Sequence, residues 1–340
     1  MPLPALLFPA DPLAPHRPDP HYAAEARRAG ELGGTPAVVD HDALLAGRAR
    51  EAVRRVPADG GPLWYRGWML PPTAYAALET ALAARGRTLL TPSAAYRQAH
   101  ELPGWYAAFA AVTPRSRWIP GGGMPGDTEL KQAAGELGGR GPAIVKDYVK
   151  SRKHEWAQAC FVPDLADTEG LRRVVGRFVE LQGDDLAGGV VLRRFERYVR
   201  GAADRAEEAR VWWLDGEPVL VGPHPDTPDV RPAPDLSAVR PLVRALGCRF
   251  VTTDLARLAE GGAWRVVEVG DGQVSDLPSG TDPAALLTAL LSAPLAAPSA
   301  SPPAAPFTAL PDAPPDAPLS APLAAPPAGP PATPPDPRAR

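Results

Sequence analysis

The sequence predicts an α+β fold: a small α/β layer first, then a larger and mostly antiparallel α+β unit, then a tail that does not fold. Three observations predict it. Strand-like and helix-like segments alternate through the first hundred residues, the pattern of a parallel sheet covered by helices. Later, apolar strands are paired through short turns such as Asp215-Gly216, the two-residue connection that suits twisted antiparallel strands. From Ala293 onward proline and alanine dominate, which removes backbone donors and leaves too little apolar area to bury. The expected units are residues 1–102 (α/β), 103–292 (α+β) and 293–340 (disordered).

Taken in order, "PALLF" reads as a strand, "HYAAEARRAG" as a helix closed by Gly30, and "TPAVVD" and "GPLWYRG" as two further strands. Between Pro71 and Arg85 the spacing of Tyr75, Leu78 and Leu82 makes one apolar helical stripe, stopped by Gly86. "RTLLTP" is a strand and "SAAYRQAHEL" a helix. In the second unit "PAIVKDYV", Pro142 to Val149, is a strand. Asp167 opens a helix that buries Leu171, Val174, Val175 and Phe178 before Gly183. "GGVVLRRFE" is another strand, "EARVWWLDGEPVLVG" a hairpin, and a second hairpin joins "CRFVTTDLA" to "AWRVVEVG". Asp282 and Pro283 start a last helix with Leu286, Leu287, Leu290 and Leu291 on its apolar face.

Composition excludes several classes of function. At 340 residues the chain can bury a sizeable core. With 36 basic and 39 acidic residues the net charge is -3, so no nucleic-acid or anionic-membrane partner is expected. The two cysteines, Cys160 and Cys248, lie far apart and form no metal-binding spacing. "MPLPALLFPADP" carries no basic leader, and no segment is apolar for long enough to span a membrane, so the expected location is the cytoplasm. The tail is a linker or a docking peptide for a proline-reading protein partner.

The chemistry concentrates in the second unit. Glu268 and Asp271 end an apolar strand. In a hairpin symmetric about Gly261, Asp254 falls opposite Glu268, with Cβ atoms about 4.5–5.5 Å apart. Two such carboxylates repel unless a cation stands between them, and magnesium beside a nucleotide's phosphates is held by one or two carboxylates. Strand-end acids in water are the alternative. Lys146, following "PAIV", is a buried lysine in want of an anion or a strand-end lysine in solvent, and the basic "KSRK" loop behind it either covers phosphates or is solvated. Arg193 and Arg210 each sit within an apolar strand, where polyphosphate or carboxylate would satisfy them. A structural ion pair, such as Arg210 with Glu208, is the competing reading. "GGGMPGD" lacks the ending of a phosphate-binding loop and reads as a connection, and Arg66, between Trp64 and Trp68, is a substrate contact or a surface arginine packed on aromatics. No Gly-x-Ser-x-Gly elbow and no HExxH is present.

In this order, lysine on a strand, arginine on the next, Glu-x-Arg on a hairpin, then aspartate and Glu-x-Gly-Asp on a second hairpin, the sequence resembles the ATP-grasp superfamily. It is most similar to the bacterial and phage clade named for two arginines and one lysine. "IVKDYVKSRKHEW", "VVLRRFE", "EARVWWLDGEPV" and "WRVVEVGDGQVSDLP" carry the resemblance, with "LLFPADPL", "VVDHDAL" and "YRGWMLPP" in the first unit.

The resemblance implies two α+β subdomains clasping ATP, preceded by a small α/β pre-ATP-grasp domain that helps to form the acceptor site. It implies Lys146 on the ATP phosphates, Arg193 and Arg210 near phosphate or acyl phosphate, Glu196 near adenine and ribose, and Asp254 and Glu268 on Mg2+; Asp271 is either a further ligand or the first acid of the turn "GDGQ". Where the superfamily commonly has an asparagine two positions after the metal glutamate, this chain has Gly270. The implied activity is a carboxylate-amine ligase that works through an acyl phosphate on small-molecule or peptide acids and amines. The alternatives are a non-catalytic nucleotide-binding module and an ATP-dependent small-molecule kinase.

Overall fold

The computed structural model describes residues 3–201 and 206–295. The expectation of a disordered segment falls on residues that, from 296 onward, lie outside the described ones. Up to that point the chain stays packed: Ala293 is buried, and the Pro294 carbonyl accepts a hydrogen bond from Arg249 at 2.8 Å.

Three sheets carry the architecture. The first holds β1 (Ala5–Asp11), β2 (Ala14–Pro18), β3 (Thr35–Val39) and β4 (Leu63–Tyr65). β3 and β4 run parallel to β1, and β2 returns antiparallel against its end. The second sheet has the order β5-β8-β6-β7, from Ser116–Pro120, Ala143–Lys146, Phe161–Val162 and Gly189–Arg194 for β5, β6, β7 and β8, all antiparallel. The third has the order β10-β9-β11-β12, with β9 at Glu208–Leu214, β10 at Glu217–Pro223, β11 at Phe250–Arg257 and β12 at Trp264–Asp271.

Local chemistry explains most of these elements. Asp215 and Gly216 take φ of 49° and 81°, the left-handed pair that a two-residue hairpin needs. Asp167 caps the helix Thr168–Gln182 by accepting from the Gly170 amide at 2.9 Å. The stripe of Tyr75, Leu78 and Leu82 is buried on the helix Pro72–Ala83.

Four expectations are corrected. "RTLLTP" forms an isolated bridge, Leu89 to Leu63, rather than a strand, because its neighbour β4 is three residues long. The first helix runs on past Gly30 to Glu31. "PAIVKDYV" ends as a strand at Lys146, since buried Asp147 accepts from the amides of Val149 and Lys150 and turns the chain. "SAAYRQAHEL" stops at His100, Glu101 is extended, and a second helix, Leu102–Phe109, begins at once.

Period-two alternation decides what each sheet face does. Val211, Trp213 and Val251 point into a core with Trp105 and Phe109 from the helix Leu102–Phe109 and Val243 from the helix Arg240–Leu246. On the opposite face, Trp212, Leu214 and Phe250 pack with Phe8, Trp64 and the helix Ala284–Ser292. The rest of that face, where Arg210, Asp254 and Glu268 stand, borders an open cleft. In the second sheet Val190 and Leu192 enter the core under the helix Thr168–Gln182, so Val191, Arg193 and Lys146 share the other face.

The first sheet is tied to the cleft through Arg66, which lies just past β4 and is not a surface residue. It is fully buried and ion-paired with Glu25 at 2.8 and 3.0 Å. It also donates to the carbonyls of Gln273 (3.1 Å) and Ser275 (2.7 Å). Removing one partner of a buried pair strands the other charge, so Arg66→Met is expected to lower unfolding stability by about 3–5 kcal/mol. Urea denaturation measures this, and a change within 1 kcal/mol (roughly the worth of an exposed pair) would contradict the buried geometry.

Candidate active site

The second hairpin brings Asp254 of β11 directly opposite Glu268 of β12. Its symmetry is not uniform: a bulge follows, so that Leu255 pairs with Val266, and the hairpin end is shifted by one residue. The like charges are offset by the protein itself. Arg210, opposite Asp254 on β9, grips it with two hydrogen bonds of 2.8 Å. Lys146, buried at the end of β6, places its Nζ 3.3 Å from Glu268 Oε1 and 3.4 Å from the Val149 carbonyl. The arginine's ion-pair partner is therefore Asp254 across the strands, not Glu208 on its own strand. Burial alone would raise the Asp254 carboxyl, but the charge and hydrogen bonds of Arg210, with His224 behind them, hold it below the usual range.

Arg210, Asp254 and Glu268 line a cleft of about 310 Å³ that is also bordered by Met69, His100, Lys153, His224, Thr252, Asp271 and Ser275, and Lys146 meets it through Glu268. His224 accepts from the Asp226 amide at Nδ1 (3.1 Å), which leaves its Nε2–H toward Asp254 at 3.5 Å. Lys153 of the basic loop is paired with Asp226 across the mouth. Glu208 is on the same strand face as Arg210, and burial and the nearby Asp254 push its carboxyl up to about 7.

Arg193 stands apart. It is 3% exposed, donates to Thr113 Oγ1 at 2.6 Å and to the Val266 carbonyl at 3.4 Å, and lies 5.9 Å over the Trp105 ring. Among the described residues no carboxylate pairs with it. Burial holds its guanidinium below the ordinary arginine range. A permanent charge in this state is costly to keep buried.

Of the other sequence-derived residues, Glu196 does not join the group, and Asp271 borders the cleft without facing Glu268. Glu196, on the segment after β8, is held by Arg265 at 2.9 and 3.2 Å and accepts from the Tyr198 hydroxyl at 3.2 Å. Asp271 is three residues past Glu268, an odd step that turns it to the other sheet face, where it is fully buried and accepts from the Gln273 amide (2.9 Å) and side chain (3.1 Å). Its second oxygen has no partner among the described residues, and burial pushes its pKa up to about 7.

A carboxyl protonated in the folded protein but ionised in the unfolded chain makes stability fall as pH rises from about 4 to about 7. Asp271→Asn is expected to remove that slope and to raise stability at pH 8 by a few kcal/mol. Denaturation at pH 5 and pH 8 checks this, and an unchanged pH dependence would refute it.

The donor set fits magnesium. Asp254 and Glu268 offer two hard oxygen ligands beside the cations Lys146 and Arg210, and magnesium typically takes one or two carboxylates and completes its shell with phosphate and water. Among the described residues no three His, Cys, Asp or Glu side chains gather to hold a metal unaided, so phosphate and water would supply the remaining ligands. No helix among the described residues is long and apolar enough to cross a membrane.

Sequence reasoning missed Asp147, His100 and His224. None has a motif spacing, and each reaches its place through a turn or a helix end.

The arrangement can be set beside known proteins. Residues 136–290 match the family model of an ATP-grasp domain, family 3 of the clade named for two arginines and one lysine. No curated protein matches the chain. Among solved structures the chain is similar to D-cycloserine synthetase DcsG, at 16% identity and a TM-score of 0.57, over 84% of this chain and 97% of that one. It is also similar to a RimK domain ATP-grasp protein from Sphaerobacter thermophilus DSM 20745, at 16% identity and a TM-score of 0.53, over 84% and 99%. A third is the ATP-grasp ligase PsnB complexed with precursor peptide PsnA2 and AMPPNP, at 14% identity and a TM-score of 0.51, over 85% and 96%. The acidic hairpin beside the lysine strand, together with these matches, leads to one conclusion: the chain has the ATP-grasp fold, and its residues 136–290 match the ATP-grasp domain family.

Proposed function

We propose that the protein is an ATP- and magnesium-dependent carboxylate-amine ligase acting on an amino acid, a peptide or a related small molecule. The observation that carries this reading is the set of Arg210, Asp254 and Glu268 on one cleft with Lys146 on Glu268, and Arg193, buried and without a carboxylate partner among the described residues, within electrostatic range of Glu268. Such a site has charges to place, and its hydroxyls, Thr252 and Ser275, bond to each other and to the Asp271 carbonyl rather than to a base, which suits phosphoryl transfer between substrates rather than covalent catalysis by the protein. In that chemistry a substrate carboxylate takes the terminal phosphoryl group of ATP as the bond to ADP breaks, and an amine then attacks the acyl carbon, losing a proton and expelling phosphate.

Each residue has a part. Lys146 holds the phosphate chain, and Arg193 and Arg210 meet the charge of the phosphoryl and acyl phosphate groups. Asp254 and Glu268 would hold magnesium, which when bound neutralises phosphate charge. Glu196, steadied by Arg265, is assigned to the nucleoside side. Asp271 is assigned to holding Gln273 and its loop. The similarity to DcsG and to PsnB with its precursor peptide supports substrates of the amino-acid or peptide type.

The test is release of ADP and phosphate from ATP and magnesium with a panel of amino acids and peptides, offered as acids and amines singly and in pairs. Release that requires both an acid and an amine is expected. ADP without free phosphate would identify a kinase, and failure to bind Mg·ATP at all would leave an interaction module.

A further inference from the structure

His100 is the last residue of the helix Ser93–His100, where the chain leaves the first unit and enters the cleft. The surrounding structure is built to hold its ring in one orientation. Tyr75 and Tyr96 stack face to face at 4.0 Å, and Tyr96 stacks on His100 at 5.0 Å and 20°. Tyr96 is itself locked to the Leu70 backbone, donating to its carbonyl at 2.7 Å and accepting from its amide at 3.1 Å. His100 is 6% exposed, and among the described residues neither ring nitrogen has a hydrogen-bond partner.

Its electrostatic setting is equally specific. A helix C-terminus favours a charged imidazole, yet burial, with Lys150 and Lys146 nearby, lowers its pKa to about 4. The ring is therefore neutral at physiological pH. A neutral imidazole still offers one N–H donor, and here it offers it beside the lysine that also meets Glu268. A ring this buried and this fixed, with its hydrogen-bonding capacity unspent, is matched to a partner that arrives from outside.

We infer that His100 is a further catalytic residue, its ring N–H donating to the terminal phosphoryl group of the nucleoside triphosphate bound in the cleft. The inference rests on the ligase reading above, because it needs a triphosphate there. A neutral donor contributes a directed hydrogen bond to the migrating group without adding a third cation to the corner that Lys146 and Lys150 already fill. A nucleoside diphosphate lacks that group, and this separates contact from support.

Calorimetric titration of Mg·ATP and Mg·ADP into the parent protein, His100→Phe and His100→Gln tests it. Phenylalanine keeps the stacked ring and removes both nitrogens, whereas glutamine keeps an N–H donor. His100→Phe is expected to weaken Mg·ATP about ten-fold, the scale of one hydrogen bond to a charged group, and to leave Mg·ADP within about two-fold. His100→Gln should recover most of the loss. Equal losses for both nucleotides, or no loss, would overturn the role of His100 while leaving the ligase reading intact. A parent protein that binds neither nucleotide would overturn both.

Ring-labelled histidine NMR of the parent supplies a measurement free of any folding defect in the variants. The His100 nitrogens should shift with Mg·ATP and much less with Mg·ADP, and signals indifferent to bound Mg·ATP would reject the contact.

Discussion

Arg193→Met is expected to reduce ATP-dependent turnover by at least ~100-fold while leaving the thermal transition unchanged or higher, a combination that an arginine kept for stability would not give. The guanidinium is 3% exposed and lacks a carboxylate partner among the described residues, so folding bears the cost of desolvating a charge with only a hydroxyl, a carbonyl and the Trp105 face in return. Methionine fills a similar volume and removes that cost. Nothing is left stranded, because Thr113 Oγ1 still donates to the Val266 carbonyl at 2.7 Å. Turnover with the acid and amine that support ADP release, measured beside a thermal melt, checks both halves. A variant that melts well below the parent would show that Arg193 serves the fold, and one of full activity would remove it from the site.

Glu268→Gln is expected to cost a similar factor, at least ~100-fold in turnover, through the metal. Glutamine has nearly the same shape and its carbonyl oxygen can still accept from Lys146, so the 3.3 Å contact and the β11–β12 pairing are retained. What is lost is half of the Asp254–Glu268 pair that would hold magnesium. The loss should therefore appear as a higher magnesium requirement for both nucleotide binding and turnover. Saturating magnesium should recover part of the activity. Binding and turnover with the parent's magnesium dependence would take Glu268 out of the metal role and leave it as the counter-ion of Lys146 alone.

The legible part of this protein follows from local rules. The left-handed Asp215-Gly216 turn, the Asp167 cap and the stripe of Tyr75, Leu78 and Leu82 each depend on a few neighbouring residues, and each is present as expected. The pairing of Asp254 with Glu268 was legible for the same reason, since hairpin register follows from loop length and period-two alternation, although the bulge beyond it was not. Arg193 was noticed because a charge inside an apolar strand is anomalous in any fold.

Other features depended on contacts far apart in sequence. Glu25 meets Arg66, and His100 rests on Tyr96 and opens on the cleft that Asp254 and Glu268 border. Asp271 illustrates the limit: its place three residues past Glu268 left a ligand and the first acid of a turn both open, and the structure puts it at the edge of the cleft, buried and hydrogen-bonded to Gln273.

By itself, then, the sequence determined the kinds of element, the antiparallel hairpins and the set of charges that chemistry would use, because helix stripes, strand alternation and turn residues act over a few positions. Only the tertiary structure decided which charge meets which, that Arg210 takes Asp254, Lys146 takes Glu268 and Arg193 has no carboxylate partner among the described residues, because ion pairing is settled by packing between separate sheets, and distance in space is not written in the spacing of residues along the chain.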